Sequence, residues 1–327
     1  MPGGKISRLG LNLGAVLLLA GCGGGGNVAS TPTPTPSPSQ SATSVPPPPA
    51  SPVNASFAAP LKSETFNNLS ARATGTSSST ALKSATAALQ GTGATIVYDA
   101  AAGTYQFTST GPAADGTSPE RLTITTTSTD FCYTTPCVTS GNAVGTMARR
   151  GVEGSNSLGF LYTYVAFANW HSAATVGSDR VETMNVAVFG ATTPAGGVPT
   201  TGTASYKLDI RGTQMTGPLG TSAGRQILPG FSGTGVASVD FANATYSMSG
   251  DLSTVLATSG TTSFSSTGRL SSGANGFFGN FTFADAGVFS GSLFGWFFGP
   301  TAQELGAVFS VSNPDGRTAV GTVVGHK

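Results

Sequence analysis

Along the C-terminal third of the chain, apolar and polar residues trade places at every second position. Starting at Thr203, the residues Ala204, Tyr206, Leu208 and Ile210 share one face, and Thr203, Ser205, Lys207 and Asp209 share the other. That is the period of a strand with one buried side. Further strand-like runs cover 235–241, 245–252, 262–270, 276–283, 287–298, 305–311 and 318–325. With the first they make about eight, a number that closes into an antiparallel barrel filled by its own side chains. Asn313-Pro314-Asp315-Gly316 lies between the last two. Proline presets φ and glycine accepts a positive φ, so these strands read as a hairpin. Gly287, Gly291, Gly295 and Gly299 recur every fourth residue on the face that also carries Phe289, Leu293 and Phe297. Missing side chains at such positions let rings from neighbouring strands close in.

Upstream the pattern is weaker. Segments 94–98, 104–108 and 121–125 read as strands separated by polar turns, and 81–90 as one short helix whose Ser and Thr content counts against it. The clearest element here runs over 160–170. Phe160, Tyr162, Tyr164, Ala166, Ala168 and Trp170 occupy one face, with Leu161, Thr163, Val165, Phe167 and Asn169 opposite. Both faces are partly apolar, as expected of a central strand.

The first twenty-two residues are of another kind. Lys5 and Arg8 precede an apolar stretch from Leu9 to Ala20, followed by Leu19-Ala20-Gly21-Cys22. The stretch is too short to span a bilayer, and its layout is that of an export signal. It resembles the lipobox of bacterial lipoproteins, which implies that Cys22 carries diacylglycerol and, after cleavage, a further acyl chain on its amine. Several chains make a stable anchor. Gly23 follows the cysteine in place of the Asp that resembles an inner-membrane retention signal, which favours the outer membrane. Residues 23–61 hold no charge before Lys62 and contain Thr31-Pro32-Thr33-Pro34-Thr35-Pro36-Ser37-Pro38 and Pro46-Pro47-Pro48-Pro49. Such chain cannot build a core and reads as a disordered linker. At about 3.1 Å per residue it spaces the folded part on the order of 100 Å from the lipid.

Composition narrows the function. The 46 Gly, the 19 Phe and a charged fraction of 9% suit an all-β protein. A net charge of +1 supplies no field for nucleic acid. With Cys22 spent on lipid, Cys132 and Cys137 remain as an even pair in an oxidising compartment and read as a disulfide closing a short loop. Two zinc thiolates are the alternative, but His171 and His326 are the chain's two histidines. Gly220-Thr221-Ser222-Ala223-Gly224 fits the serine-hydrolase elbow formally, without its strand-to-helix setting. Two histidines and 14 acidic residues, none clustered, offer little acid–base chemistry, so no enzyme and no cofactor is expected.

A family resemblance enters near the C-terminus. Gly295-Trp296-Phe297-Phe298-Gly299-Pro300-Thr301-Ala302-Gln303-Glu304-Leu305-Gly306-Ala307-Val308-Phe309, followed by Val320-Gly321-Thr322-Val323-Val324-Gly325, resembles the closing motif of transferrin-binding protein B barrels. Tyr164-Val165-Ala166-Phe167-Ala168-Asn169-Trp170 is similar to a strand of the same family, and 199–206 to its entry into the barrel. Ala168 and Ala307 stand where the family usually has glycine, and Thr322 and Val323 where the last strand often has aromatic residues or glycine. Beyond the signal peptide at 1–22 and the linker at 23–61, the resemblance implies one lobe, a β-rich handle over 62–198 followed by an eight-stranded barrel over 199–327. It implies a surface lipoprotein of the outer membrane, delivered by a surface-lipoprotein translocon, that binds an extracellular protein such as an iron or haem carrier through handle and barrel loops. Direct binding of haem or a small ligand is a second reading, with Tyr162, Tyr164 and Trp170 as a stacking surface and His171 as an axial ligand. A purely structural lipoprotein is a third. A porin-like barrel fits the alternation less well, because the chain ends Gly325-His326-Lys327 and not on an aromatic residue.

Overall fold

The computed structural model describes residues 51–58, 60–125, 138–151, 159–215, 217, 230–254, 260–272, 274–285 and 287–327. Among the described residues ten strands precede the barrel and form two five-stranded sheets. The first sheet has the order β1-β4-β5-β6-β7, from β1 (Glu64–Phe66), β4 (Thr95–Asp99), β5 (Thr104–Pro112), β6 (Pro119–Thr125) and β7 (Val138–Gly141). The second has the order β3-β2-β10-β9-β8, from β2 (Asn68–Ser77), β3 (Leu82–Gly91), β8 (Val144–Ala148), β9 (Val165–Val176) and β10 (Asp179–Gly190). Between them lies an aromatic core that includes Phe66, Tyr105, Phe107, Trp170 and Phe189.

Two upstream expectations need correction. Segment 81–90 is not a helix: residues 82–90 lie within β3, paired antiparallel with β2 from Ala71↔Leu89 to Thr76↔Ser84. Its Ser and Thr residues are weak helix formers, and the free edge of β2 supplied the backbone partners that a strand needs. The strand expected from 160 begins instead at Val165, because the backbone before it is committed elsewhere. Leu161 makes an isolated bridge to Arg150, and the amide of Tyr162 donates to Arg149 O at 2.7 Å. From Val165 the two faces separate as expected: Ala166, Ala168 and Trp170 pack between the sheets, and Val165 and Phe167 turn the other way. β9 is flanked by β8 and β10, a central position.

The barrel closes from β11 (Thr203–Met215) through β12 (Gly230–Asp240), β13 (Thr245–Thr254), β14 (Thr261–Leu270), β15 (Gly276–Ala284), β16 (Val288–Phe298) and β17 (Glu304–Ser312) to β18 (Thr318–His326). β18 returns to pair with β11, from Lys207↔His326 to Met215↔Thr318. Closure leaves no unpaired edge. The β17–β18 turn is the expected one, with Gly316 at φ +78° and its amide donating to Asn313 O at 3.1 Å.

Tyr206, Leu208 and Ile210 point inward, as their spacing required, and aromatic rings fill the rest of the lumen. Phe281 and Phe309 stack with centroids 4.1 Å apart, and Phe283 and Phe289 stack at 4.9 Å. The glycine spacing has its reason here at Gly295, where a Cβ would stand 2.1 Å from the Phe277 ring. Gly287 and Gly299 fall just outside β16, at φ +129° and +82°, so the ends of the glycine series serve turns. Outward positions on strands β12 to β15 are mostly polar, with Val236 an exposed exception. One cross-strand row runs Ser238, Ser247, Thr267, Asn280, Ser292. Lipid-facing barrels are apolar outside and polar inside; this barrel is the reverse.

One stretch of the outer wall is apolar, and the second sheet covers it. Met215, Trp296, Phe298, Val308, Val320 and Val324 join Leu69, Ala71, Val165, Phe167, Val186 and Val188 in a single buried cluster. The layers are therefore first sheet, second sheet and barrel wall, with a core between each pair.

The chain's two tryptophans probe different cores, Trp170 between the two sheets and Trp296 between sheet and barrel. The Trp170→Phe and Trp296→Phe variants are expected to lose their fluorescence signal at the same urea concentration, since the second sheet contributes to both cores and couples the layers. Separate midpoints would show independent units. Trp296→Ala should cost about 3–5 kcal/mol of stability by the same urea titration.

Candidate functional site

The link between handle and barrel is built on a buried acid. Glu304 opens β17, is 3% exposed, and accepts three backbone N–H bonds from the segment that enters β9. Thr163 N donates at 2.7 Å, Tyr164 N at 2.8 Å and Val165 N at 2.9 Å. Burial raises the pKa of its carboxyl, and the three amides and the nearby Arg149 charge pull it back. A carboxylate that satisfies three amides otherwise cut off from water fixes where the strand starts. Beside it the Tyr162 hydroxyl donates to Asp209 Oδ2 at 2.6 Å. The His326 ring lies flat on Phe160, with centroids 3.5 Å apart.

A second polar cluster ties the two sheets together. Arg72 on β2 reaches Glu120 Oε2 at 3.4 Å and Asn185 Oδ1 at 3.2 Å, and it also donates to Pro112 O. Thr183 and Asn185 donate to the same Glu120 oxygen at 2.7 and 2.8 Å. Burial raises the pKa of Glu120 and lowers that of Arg72. These are contacts of architecture, since every group is turned into the protein.

The residues singled out in the sequence do not meet at one site. Tyr162 is buried on the barrel side of the second sheet, and its hydroxyl is engaged by Asp209. The Tyr164 ring lies against Gly299, whose Cβ position would be 2.7 Å from it. Trp170 is fully buried between the sheets. His171 follows it on β9 and so points to the opposite face, half-buried, with its pKa lowered by desolvation. A haem plane between Trp170 and His171 has no place to sit. Cys22, Cys132 and Cys137, together with Ser222, lie outside the described residues. Among the described residues no group of three or more His, Cys, Asp or Glu could hold a metal ion.

What sequence reading missed is a cleft where the second sheet and the barrel diverge. Its volume is about 420 Å³. Phe167 and Asn169 of β9 form one wall, and Arg211 and Thr213 of β11, Ser253 of β13 and Thr322 of β18 form the other. The Arg211 guanidinium carbon stands 5.5 Å from the Phe167 ring centroid, in cation–π range. Arg211 follows the eight residues whose alternation the sequence showed, and nothing in the sequence placed it opposite Phe167. Glu304 stands inside the C-terminal motif quoted from the sequence, but nothing there gave it a role.

Two variants test these assignments. Glu304→Ala leaves three amides without their acceptor and is expected to lower unfolding stability by about 3 kcal/mol, whereas Glu304→Gln keeps one oxygen and should lose less, both read by chemical denaturation. Glu182 on β10 is 0% exposed with Arg180 Nε at 3.3 Å, and burial pushes its pKa from 4.5 up to about 7. Because the folded protein holds that proton more tightly than the unfolded chain, this group's contribution is full below pH 4.5 and is lost as pH rises to about 7. Glu182→Gln should flatten the thermal midpoint across that window.

No family model matches the chain, and no curated protein does. Among solved structures its fold is similar to that of transferrin-binding protein B. A double mutant of the Haemophilus parasuis Hp5 protein is 14% identical, with 83% of this chain and 78% of that chain covered and a TM-score of 0.33. Intact Ap-TbpB with its N and C lobes is 13% identical, with 83% and 79% covered and a TM-score of 0.32. The isotype 1 protein of serogroup B Neisseria meningitidis is 11% identical, with 83% and 78% covered and a TM-score of 0.30. The likeness is one of fold.

Proposed function

We propose that this chain is an outer-membrane lipoprotein, anchored through Cys22 and displayed at the cell surface, that binds an extracellular protein carrying iron or haem. It is a binder and not an enzyme. In this reading residues 1–22 direct export, 23–61 are the spacer, 62–198 the handle and 199–327 the barrel, and Cys132 and Cys137 close a local disulfide loop. The observation that carries the reading is the filled lumen: apolar side chains occupy the barrel interior, Phe277, Phe281, Phe297 and Phe309 among them. A barrel packed this way has no inner ligand chamber, so recognition falls to its loops and outer surfaces. The hydroxyl-rich outer wall supports exposure to water and not to lipid. Flat hydrophilic walls and connecting loops are surfaces on which another protein can rest.

The test uses whole cells that express the full chain. External protease should cleave it without lysis, and Cys22→Ser should release it from the membrane fraction. A panel of labelled extracellular iron- and haem-carrying proteins is then titrated onto cells with and without the gene. Saturable, gene-dependent binding of at least one panel member is expected. Complete protease protection on intact cells, or no gene-dependent binding across the panel, would refute the reading.

A further inference from the structure

We propose that the free edge of β3 is a docking site for one extended polypeptide segment of a partner protein. The segment adds as a further antiparallel strand of the second sheet, with an acidic group at its C-terminal end. Such a partner is a strand and not a folded carrier, so the inference goes beyond the function proposed above and does not rest on it. β3 ends the order β3-β2-β10-β9-β8, and among the described residues no strand pairs with its other side. It holds ten residues, against three, four and five for the other end strands β1, β7 and β8. Edges of natural sheets are blunted by charge, proline or shortness. Between the bulges near its two ends, β3 keeps a regular register with β2 from Ala71↔Leu89 to Thr76↔Ser84, and residues 84–91 carry neither charge nor proline.

What lies beside the edge sets the occupant. Ala85, Ala87 and Leu89 pack half-buried on the sheet–barrel core, and Ser84, Thr86 and Ala88 are exposed. β3 is the strand of the second sheet that reaches β16. Phe294 of β16 and its cross-strand neighbour Phe278 of β15 stay partly exposed at the margin of the same core. A strand added here takes backbone hydrogen bonds from β3 and lays alternate apolar side chains on this margin. A cavity of about 430 Å³ lies at the N-terminal end of the edge, lined by residues 82–85, Gly217 and the turn residues 315–317. Of its charged groups, Lys83 is paired with Asp179 at 2.5 Å, and Asp315 accepts from Asn313 Nδ2 at 3.5 Å. The amide of Arg317 donates to Asn313 Oδ1, but its guanidinium has no partner among the described residues. A carboxylate matches a guanidinium with two parallel N–H···O bonds. The C-terminal end of an antiparallel strand falls beside Leu82, so the acid belongs at that end. A second copy fits poorly. Two β3 strands paired about a twofold axis would keep both barrels on one side of the joined sheet, where each barrel already sets its Asn313–Arg317 turn beside its own β3.

The probe is a synthetic ten-residue peptide of alternating valine and threonine that ends in aspartate, titrated by fluorescence anisotropy onto the full chain in detergent. Saturable binding is expected, roughly tenfold or more weaker when the aspartate becomes asparagine and the terminus is amidated. Changing the side chain alone, or the terminus alone, assigns the preferred acid to one source or the other. A strand presents every second amide to each side. Of two peptides N-methylated at alternate residues in opposite phase, one should therefore bind and the other should not. Arg317→Gln should remove the preference for the acid peptide with an unchanged thermal midpoint. Hydrogen exchange at saturating peptide should slow within 82–91 in the wild type and in that variant. Absence of saturable binding, equal binding of both N-methylated peptides, an acid preference that survives Arg317→Gln, or slowed exchange confined to other strands overturns the proposal. A dimer in analytical ultracentrifugation that the peptide dissociates assigns the edge to a second copy and overturns it too. Carrier binding is read in its own assay, so either function can fail alone.

Discussion

Strands β16, β17 and β18 carry large apolar side chains on both faces, and the rest of the structure follows from how that is resolved. One face of each turns into the barrel, where Phe297, Phe309 and Val323 join the packed lumen. The other would leave Trp296, Phe298, Val308, Val320 and Val324 in water. Burying one such large side chain stabilises by about 1.5–3 kcal/mol, so a bare barrel would carry a costly patch on its wall. The second sheet covers that patch, which explains why every residue of β18 is buried while β12 and β14 alternate. The handle is therefore the outer half of the barrel's own core as much as a separate part.

Apolar contact is non-directional and does not by itself fix how a sheet sits on a barrel. Direction comes from the few buried polar groups. Glu304 holds three consecutive amides, Asp209 holds the Tyr162 hydroxyl, and Arg72 with Glu120 pins the first sheet to the second. Each group loses its water, which burial registers as raised carboxyl pKa values at Glu120 and Glu304. Buried charges of this kind are a weak source of net stability and a good source of geometry, because only one arrangement satisfies them. Here that arrangement places sheet, crossing segment and barrel in fixed register.

Where the covering sheet stops following the wall, the cleft opens, and its lining comes from β9, β11, β13 and β18 at once. A filled lumen and a hydroxyl-coated wall leave junctions and loops as the places where this fold can meet other molecules. Scaffold and recognition surface are thus separated, and loops can change without disturbing the lumen.

The local chemistry of the chain determined much of this. The alternation of β11, the aromatic spacing of β16 and the Asn313–Gly316 turn each required their observed form, because period and turn geometry depend on near neighbours alone. The all-β class and the closed barrel followed from the number of such runs. Tertiary structure decided the remainder. Segment 82–90 became a strand because β2 offered a free edge, and 160–164 left the strand because Arg149 O took the amide of Tyr162 and Glu304, some 140 residues away, took those of Thr163 and Tyr164. Trp170 and His171, neighbours in sequence, were sent to opposite faces by the same pleat that makes a strand. Arg211 and Phe167 met only because sheet and barrel share a core, and contacts between distant segments leave no local period in the sequence by which they could be foreseen.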